Sequence, residues 1–300
     1  MKEQLKRRIR TIASALDGTL GVYMHALEAG DQIELNADQL FPMASVFKIP
    51  ILAELLCQVH TGRRSLEERV TLSEEMKSHG SGVLQELSAG AVLTMGDLAM
   101  LMIIVSDNTA TDILLAGVTK EAVNARLRAC GLERTTVTMD CRELLYELVG
   151  LSEAPAGAET RRLAFERLRR REIDVNSRVY RDERINMTTP REMGRLLEQV
   201  VHAARGNGSD PGQLPAEVCR NMLAIMRRQQ VRNRLPLLLP PGVELAHKTG
   251  SLSRVSNDAG ILDTPRGPCV ISVFGKDLGE DLKGQMAIAQ VGRAVYEAYA

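Results

Sequence analysis

The strand-like segments of this 300-residue chain lie near its two ends, and the long stretch between them has a helical pattern. Two short extended runs, near residues 19–27 and 31–36, flank turn residues and predict a hairpin. Three more runs lie near the other end and read VELAHKTG, SNDAGILD and CVISVFG. Runs this far apart can share one sheet. We therefore predict one domain with two lobes, an α/β lobe from residues 1–40 and about 205–300 and an all-α lobe from about 41–204.

The sequence between the strands predicts helices. A helical pattern runs from residue 45 to about 130, and Thr94 with Asp97 forms a weak capping box inside it. Another helix starts after Thr-Thr-Pro, with Pro190 in its first turn. Residues 204–215 predict a turn-rich connection. The chain closes with an amphipathic helix whose apolar residues are Leu282, Met286, Ile288, Val291 and Val295.

The charge balance argues against two classes of partner. Lys and Arg number 38, as do Asp and Glu, so no basic surplus favours nucleic acid or an anionic membrane. Aromatic content is 3% with no Trp, which argues weakly against base stacking. No run approaches the ~18 apolar residues that would span a bilayer. We expect a small-molecule partner, with no nucleic acid and no membrane.

The first residues, MKEQLKRRIRTIASAL, lack the continuous apolar stretch of a signal peptide and predict an amphipathic helix. We therefore expect a cytoplasmic protein as encoded, or a periplasmic or secreted one if the chain was trimmed. The cysteines form no C-x-x-C pair and no metal-ligand spacing, so we expect buried thiols, no metal and no cofactor. They are Cys57, Cys130, Cys141, Cys219 and Cys269.

Three short motifs carry the candidate chemistry. Ser45 and Lys48 form S-x-x-K, and residues three apart share one face of a helix. A helix N-terminus would stabilise negative charge developing at Ser45. Burial among apolar residues would lower the pKa of Lys48, so that its neutral amine could take the Ser45 proton. The other two motifs are S-D-N at 106–108 and K-T-G at 248–250, each of which alone is ordinarily a cap or a turn.

Together and in this order, the three motifs resemble the signature of class A serine β-lactamases and penicillin-binding proteins. The longer blocks FPMASVFK, LMIIVSDNTATDILL and HKTGS extend the resemblance, which covers most of the chain. It implies an α/β (α+β) fold in which a five-stranded antiparallel sheet flanked by helices lies beside an all-α lobe. The resemblance places the site in the cleft between the two lobes.

The resemblance also implies roles in acyl transfer. Ser45 would attack the lactam carbonyl and form an acyl-enzyme, with Lys48 as its base. The backbone N–H groups of Ser45 and Ser251 would form an oxyanion hole. Ser106 would pass a proton to the departing ring nitrogen.

Further roles concern substrate binding. Asn108 would hold Lys48 and a substrate amide. Lys248 and Thr249 would bind the substrate carboxylate. Gly250 would let the substrate lie against the strand edge without a side-chain clash. Arg254 could supply a second cationic contact, although it is as readily a surface arginine.

The resemblance requires a carboxylate that activates water for deacylation, followed four residues later by an asparagine. Glu172 and Asn176 have that spacing within the irregular region 141–187, and the D-E-R of the family follows them. A carboxylate beside an amide can hold one water and remove its proton. In this arginine-rich segment a glutamate is also commonly a surface ion-pair partner, and we favour the catalytic role for Glu172.

Two features depart from the family pattern. The stretch between residues 140 and 172 is longer than the family needs. After D-E-R the family has an aspartate that pairs with an arginine, whereas this chain has Ile185 and Asn186. Arg170 therefore lacks its expected partner, and the loop could be held differently or be mobile.

Three functions remain open at this stage. The main hypothesis is a β-lactam hydrolase. The second is a related serine hydrolase, an esterase or D-alanyl peptidase-like enzyme with slow β-lactam turnover. The third is a penicillin-binding sensor that is acylated once and needs no deacylating base. Glu172 separates the first hypothesis from the third.

Overall fold

The computed structural model describes residues 1–155, 157–206 and 214–300, which contain ten α-helices and nine strands, and five of these strands form one large sheet. The helices are α1 (Lys2–Ser14), α2 (Lys48–His60), α3 (Met95–Ile104), α4 (Asn108–Val118), α5 (Lys120–Ala129), α6 (Cys141–Leu148), α7 (Ala158–Arg169), α8 (Pro190–Ala204), α9 (Ala216–Met226) and α10 (Asp281–Tyr299). The strands are β1 (Thr19–Ala26), β2 (Asp31–Leu35), β3 (Phe41–Pro42), β4 (Arg69–Thr71), β5 (Val92–Thr94), β6 (Met187–Thr188), β7 (Leu245–Leu252), β8 (Val255–Thr264) and β9 (Gly267–Lys276).

The large sheet joins the two ends of the chain. Its strand order is β2-β1-β9-β8-β7, and every neighbouring pair is antiparallel. The pairing of β1 with β9 brings the N-terminal hairpin beside the C-terminal strands, with Thr19 opposite Lys276. This confirms the predicted five-stranded antiparallel sheet, and β7, which carries K-T-G, is one of its edges.

Helices cover both faces of the sheet, as predicted. One apolar cluster joins α1 and α10 to the outer face of the sheet. A larger cluster joins α2–α6, α8 and α9 to the inner face. The sheet is therefore a middle layer, and β7 lies at the border with the helical part. The lobe limits near residues 40 and 205 stay predictions.

The first turns of the closing helix, α10, bury a different face from the predicted one. Leu282 and Met286 are 76% and 42% exposed. The buried face of α10 runs through Gly284, Ile288 and Val291. At 3.6 residues per turn, Leu282 and Met286 lie on roughly the opposite side of the helix.

The helical prediction for 45–130 is wrong between α2 and α3. Residues 61–94 contain the small antiparallel sheet of β4 and β5. Gly62, Gly80, Gly82 and Gly90 each have positive φ there, which interrupts a helix. The capping box at the start of α3 does form.

The other local expectations have mixed outcomes. The region 141–187 contains α6, α7 and a short 3-10 helix, Arg178–Tyr180. The turn-rich connection predicted for 204–215 falls mostly outside the described residues. All five cysteines are buried. No helix within the described ranges is long and apolar enough to cross a membrane.

Candidate active site

Ser45 lies in a 3-10 helix, Ala44–Phe47, that leads directly into α2. Ala44 has φ +44°, a conformation that L-residues rarely adopt, so the surrounding structure must impose this turn. Two neighbours anchor the preceding residue: the Met43 N–H donates to Asn186 O at 2.8 Å, and Asn257 Nδ2 donates to Met43 O at 3.0 Å. Ser45 is therefore presented from a turn that begins at a residue held through both its N–H and its carbonyl.

Lys48 is the first residue of α2 and is completely buried. Its Nζ donates to Ser106 O at 2.8 Å, to Asn108 Oδ1 at 2.8 Å and to Ser106 Oγ at 3.1 Å. Burial lowers the pKa of Lys48, because the charged form loses its hydration. The structure thus joins S-x-x-K to S-D-N around one buried amine.

Ser106 Oγ is a meeting point of all three motifs. Lys248 Nζ donates to this oxygen at 3.0 Å, opposite the bond from Lys48. Burial lowers the pKa of Lys248 well below its usual value, and the positive charge of Lys48 lowers it further. A hydroxyl has two acceptor sites and one proton. Because both lysines donate to Ser106 Oγ, the hydroxyl proton of Ser106 can be donated to a third group.

The β7 edge contacts the Ser45 turn through Gly250. A Cβ on Gly250 would lie 2.7 Å from Met43 O and 3.1 Å from Ser45 N. Only a residue without a side chain permits this approach. The contact brings the backbone of Ser251 close to that of Ser45, as a shared oxyanion hole requires. Thr249, which precedes it, is buried.

The S-D-N motif also holds the segment that closes the other side of the site. Asp107 accepts from the backbone N–H groups of Val83 and Leu84 at 2.6 and 2.8 Å. Asn108 Nδ2 donates to His79 O at 2.8 Å. One N–H of Asn108 is thus committed to the protein, which leaves one for a substrate amide.

The second cation near the K-T-G strand is Arg234, which sequence reasoning missed. Its side chain is buried and donates to Ser251 Oγ and to Ser256 Oγ. Arg254, the predicted candidate, instead donates to Asp277 O and Leu278 O. It belongs to the turn after β7, where φ +62° directs it away from the motifs. No local motif marks Arg234, because it reaches the site from a separate loop.

A cavity of about 100 Å³ lies beside Ser45. Ser45, Asn108 and Ser251 form part of its wall, and the remainder includes residues 80 and 81 and, from α6, Cys141, Leu144 and Leu145. Among the described residues that line it, no carboxylate is present. Larger cavities of about 540 and 390 Å³ lie elsewhere and contain none of the motif residues.

The N-terminus of α6 is fixed by a buried carboxylate. Asp112 Oδ1 accepts from Cys141 N at 2.7 Å, and Asp112 Oδ2 accepts from Ser78 Oγ at 2.5 Å. Burial raises the pKa of Asp112 and raises that of the Cys141 thiol well above its usual value. Asp140, the N-cap of α6, accepts from the backbone N–H of Glu143. These bonds fix the position of α6, which provides one wall of the cavity.

Glu172 and Asn176 lie apart from the other motif residues, and their predicted role in deacylation stays a prediction. Neither residue lines the cavity beside Ser45. Glu172 is 50% exposed and pairs with Arg170 at 3.8 Å. Asn176 is exposed and accepts from Arg181. The segment packs on the end of α6, where Asp174 N–H donates to Leu148 O at 2.8 Å, and both side chains are directed to solvent.

Asn186 holds the loop where the family has an aspartate. Its Oδ1 accepts from the N–H groups of Thr138 and Met139 at 2.8 and 2.9 Å, and its Nδ2 donates to Met139 O at 2.8 Å. The loop is therefore closed by amide hydrogen bonds to backbone, as one of the two alternatives anticipated. In the part of the chain that the structure describes, no cluster of three His, Cys, Asp or Glu residues could hold a metal ion.

Comparisons with known proteins show the family and the fold of this chain. The fold matches a β-lactamase from Sphaerobacter thermophilus DSM 20745 with a TM-score of 0.79 and 28% identity, covering 99% of this chain and 97% of that one. A leucine-to-glutamate mutant of PBP-A, solved as an acyl-enzyme complex with penicillin G, matches with a TM-score of 0.77 and 27% identity over 99% and 96% of the two chains. Beta-lactamase VEB-1 from Pseudomonas aeruginosa is 24% identical over 91% of this chain and 82% of its own length. The model of the beta-lactamase enzyme family matches residues 4–299, and the chain belongs to that family.

Proposed function

We propose that this protein hydrolyses β-lactams through an acyl-enzyme at Ser45. The observation that carries the proposal is the position of Ser106 Oγ between Lys48 and Lys248, at 3.1 and 3.0 Å. One buried hydroxyl thereby connects the nucleophile motif to the strand that would bind the substrate. Family membership supports the hydrolase class, and the serine mechanism is the finer proposal.

Acylation begins with transfer of the Ser45 hydroxyl proton to the neutral amine of Lys48. Burial favours that neutral form, although three acceptors stabilise the ammonium. Ser45 Oγ then bonds to the lactam carbon, and the backbone N–H groups of Ser45 and Ser251 stabilise the oxyanion. The ring C–N bond breaks as the nitrogen takes the proton of Ser106. Lys48 returns the proton it received to Ser106, so the transfers balance.

The substrate carboxylate would bind at the β7 edge. Lys248 and Thr249 supply a cation and a hydroxyl there. Arg234 adds a second cation that reaches the edge through Ser251 Oγ. A carboxylate held by charge-assisted hydrogen bonds is bound more strongly than a neutral group. We propose this pair of cations, rather than Arg254, as the selective element for anionic substrates.

The test compares wild type with Ser45→Ala and with Ser88→Ala, which changes an exposed serine. Wild type and Ser88→Ala should be labelled covalently by a fluorescent penicillin and should turn over nitrocefin. Ser45→Ala should do neither, because loss of the nucleophile of such a unit costs several powers of ten in kcat. Stoichiometric labelling of Ser45→Ala would refute the proposal.

One observation favours a second candidate, a penicillin-binding or peptidase-like protein that deacylates slowly. The described lining of the cavity contains no carboxylate. The two candidates share the acylation of Ser45 and differ only in the fate of the ester.

A further inference from the structure

Helix α7 lies in the stretch between residues 140 and 172 that is longer than the family needs, and the chemistry proposed above does not use it. Its residues, all within the described ranges, are absent from the lining of the cavity beside Ser45. Two parts of the chain that do line this cavity, α6 and the segment of residues 74–82, both contact α7. The helix therefore connects two walls of the site from outside the cavity.

The contact of α7 with α6 is mainly apolar. Ala164 of α7 is completely buried and packs with Val149 and Leu151, which directly follow α6. Arg167 of α7 donates to Val149 O at 2.7 Å. Helix α7 is thus anchored at the end of the helix that provides one wall of the cavity.

The contact of α7 with the segment 74–82 is made through His79. The His79 ring packs against the Phe165 ring, with centroids 5.0 Å apart and planes at 42°, an attractive arrangement for two aromatic rings. His79 Nε2–H donates to Arg161 O at 3.2 Å, one turn earlier on α7. Arg161 Nη1 in turn donates to Glu74 O at 2.6 Å. Helix α7 therefore holds this segment at two places.

The backbone of the same segment holds Asn108. His79 O accepts from Asn108 Nδ2 at 2.8 Å, and the backbone N–H of Asn108 donates to Ser81 O at 2.9 Å. A Cβ at Gly80 would lie 2.8 Å from Asn108 Nδ2, which shows how closely the segment approaches this amide. Because Lys48 donates to the amide oxygen, the position of His79 O sets the direction of the remaining N–H of Asn108.

We propose that His79 and Phe165 are positioning residues through which α7 orients the amide of Asn108, and that they select β-lactams with an acylamino side chain. The inference rests on the proposed function and names the substrate class of that site. The carbonyl of an acylamino group can accept the remaining N–H of Asn108, whereas a substrate without this group does not use it. Displacement of the segment 74–82 therefore weakens the reaction of the first kind of substrate selectively.

The test compares penicillin G with 6-aminopenicillanic acid, which has the same rings and carboxylate but a free amine in place of the acylamino group. The ratio of their kcat/KM values is measured for wild type, Phe165→Ala and His79→Ala. In both variants the ratio should fall by about three- to tenfold, which corresponds to the loss of one hydrogen bond between neutral groups. Any loss common to both substrates cancels in this ratio.

Two control variants should keep the wild-type ratio. Phe165→Tyr retains the ring that packs on His79. Met286→Ala changes a residue of α10 that is exposed to about the same extent as Phe165. Because Phe165 is 44% exposed, its substitution should leave the core intact, and the Phe165 variants decide the test if His79→Ala does not fold.

Three outcomes would overturn the inference and leave the proposed function standing. One is a ratio within twofold of wild type in folded Phe165→Ala. Another is an equal fall of kcat/KM for both substrates, which would show that Phe165 contributes to stability alone. The third is a fall in Phe165→Tyr as large as that in Phe165→Ala. A wild-type protein that hydrolyses neither substrate would refute the proposed function itself, and the inference with it.

Discussion

Substitution of Gly250 by alanine should separate the β7 edge from the nucleophile. The added Cβ would lie 2.7 Å from Met43 O, whereas ordinary contacts begin at 3.4 Å. Its other near neighbours are Ser45 N at 3.1 Å and the Ala44 Cβ at 3.2 Å. All three belong to the turn that presents Ser45, so relief of the clash must move the strand or that turn.

The size of the effect follows from this geometry. Relief of the closest contact requires a displacement of roughly 0.7 Å between β7 and the turn. Misplacement of reacting groups by about 1 Å costs about 10²-fold in rate, so acylation should slow by roughly 10- to 100-fold. Overpacking of this kind also costs about 1–3 kcal/mol of stability, which should lower the Tm by several degrees.

The assay is the rate of covalent labelling of Ser45 by a fluorescent penicillin, measured with Tm on the same samples. The matched control is Gly157→Ala, because a Cβ at Gly157 has no neighbour within 4 Å. The control should acylate at the wild-type rate. Labelling of folded Gly250→Ala within threefold of wild type would show that this contact does not position the nucleophile.

Three further predictions follow. Arg234→Gln should raise the KM of a carboxylate-bearing β-lactam by at least tenfold, because only an anionic substrate uses the charge of Arg234. The KM of a neutral ester should change little. Equal losses for both substrates in steady-state kinetics would show that the role of Arg234 is structural. Asn257→Ala should remove the hydrogen bonds of this buried side chain to Pro42 O, Met43 O and Gly275 N and cost about 1–3 kcal/mol in chemical denaturation. A stability equal to wild type would contradict this anchor. Burial raises the pKa of Asp140 from 3.8 to about 6, so the native state holds this proton more tightly than the unfolded chain, and stability is lost as pH rises between those values. Asp140→Asn can still cap α6. Its Tm should therefore rise relative to that of wild type as pH rises from about 4 to about 6, and the difference should persist at higher pH. A Tm difference that does not depend on pH would refute the raised pKa of Asp140.

Much of the architecture could be predicted from the sequence because its signals are local. The hairpin and the three C-terminal runs have strand patterns, and their separation by a helical stretch restricts how they can pair. The observed strands, from Thr19 to Leu35 and from Leu245 to Lys276, lie where those runs predict them. The interruption of the helical pattern between α2 and α3 was missed, because single glycines do not by themselves exclude a helix.

The meeting of the three motifs was also predictable in part. Ser45 and Lys48 are close because they share one turn, which the spacing alone specifies. That Ser106 Oγ lies between Lys48 and Lys248 required the packed structure, since 58 residues separate it from one lysine and 142 from the other. The resemblance led us to expect that the three motifs meet, and the hydrogen bonds of Ser106 Oγ show that they do.

The sequence could not place Glu172 and Asn176, because their positions depend on how a long segment packs. Glu172 and Asn176 have the right spacing, but spacing fixes geometry only within a segment and not the place of that segment in the fold. In the fold both side chains are on the surface, and α6 contributes Cys141, Leu144 and Leu145 to the cavity beside Ser45. Arg234 reaches Ser251 from a different loop, without any local signal.

The sequence by itself determined the strand segments, the three motifs and the shared helical face of Ser45 and Lys48, because each depends on neighbours in the chain. Only the tertiary structure decided which side chains line the cavity beside the nucleophile. Those side chains come from separate segments whose relative positions are set by buried contacts, such as the bond of Asp112 to the N–H of Cys141. Contacts of this kind produce no periodic pattern of residues in the sequence.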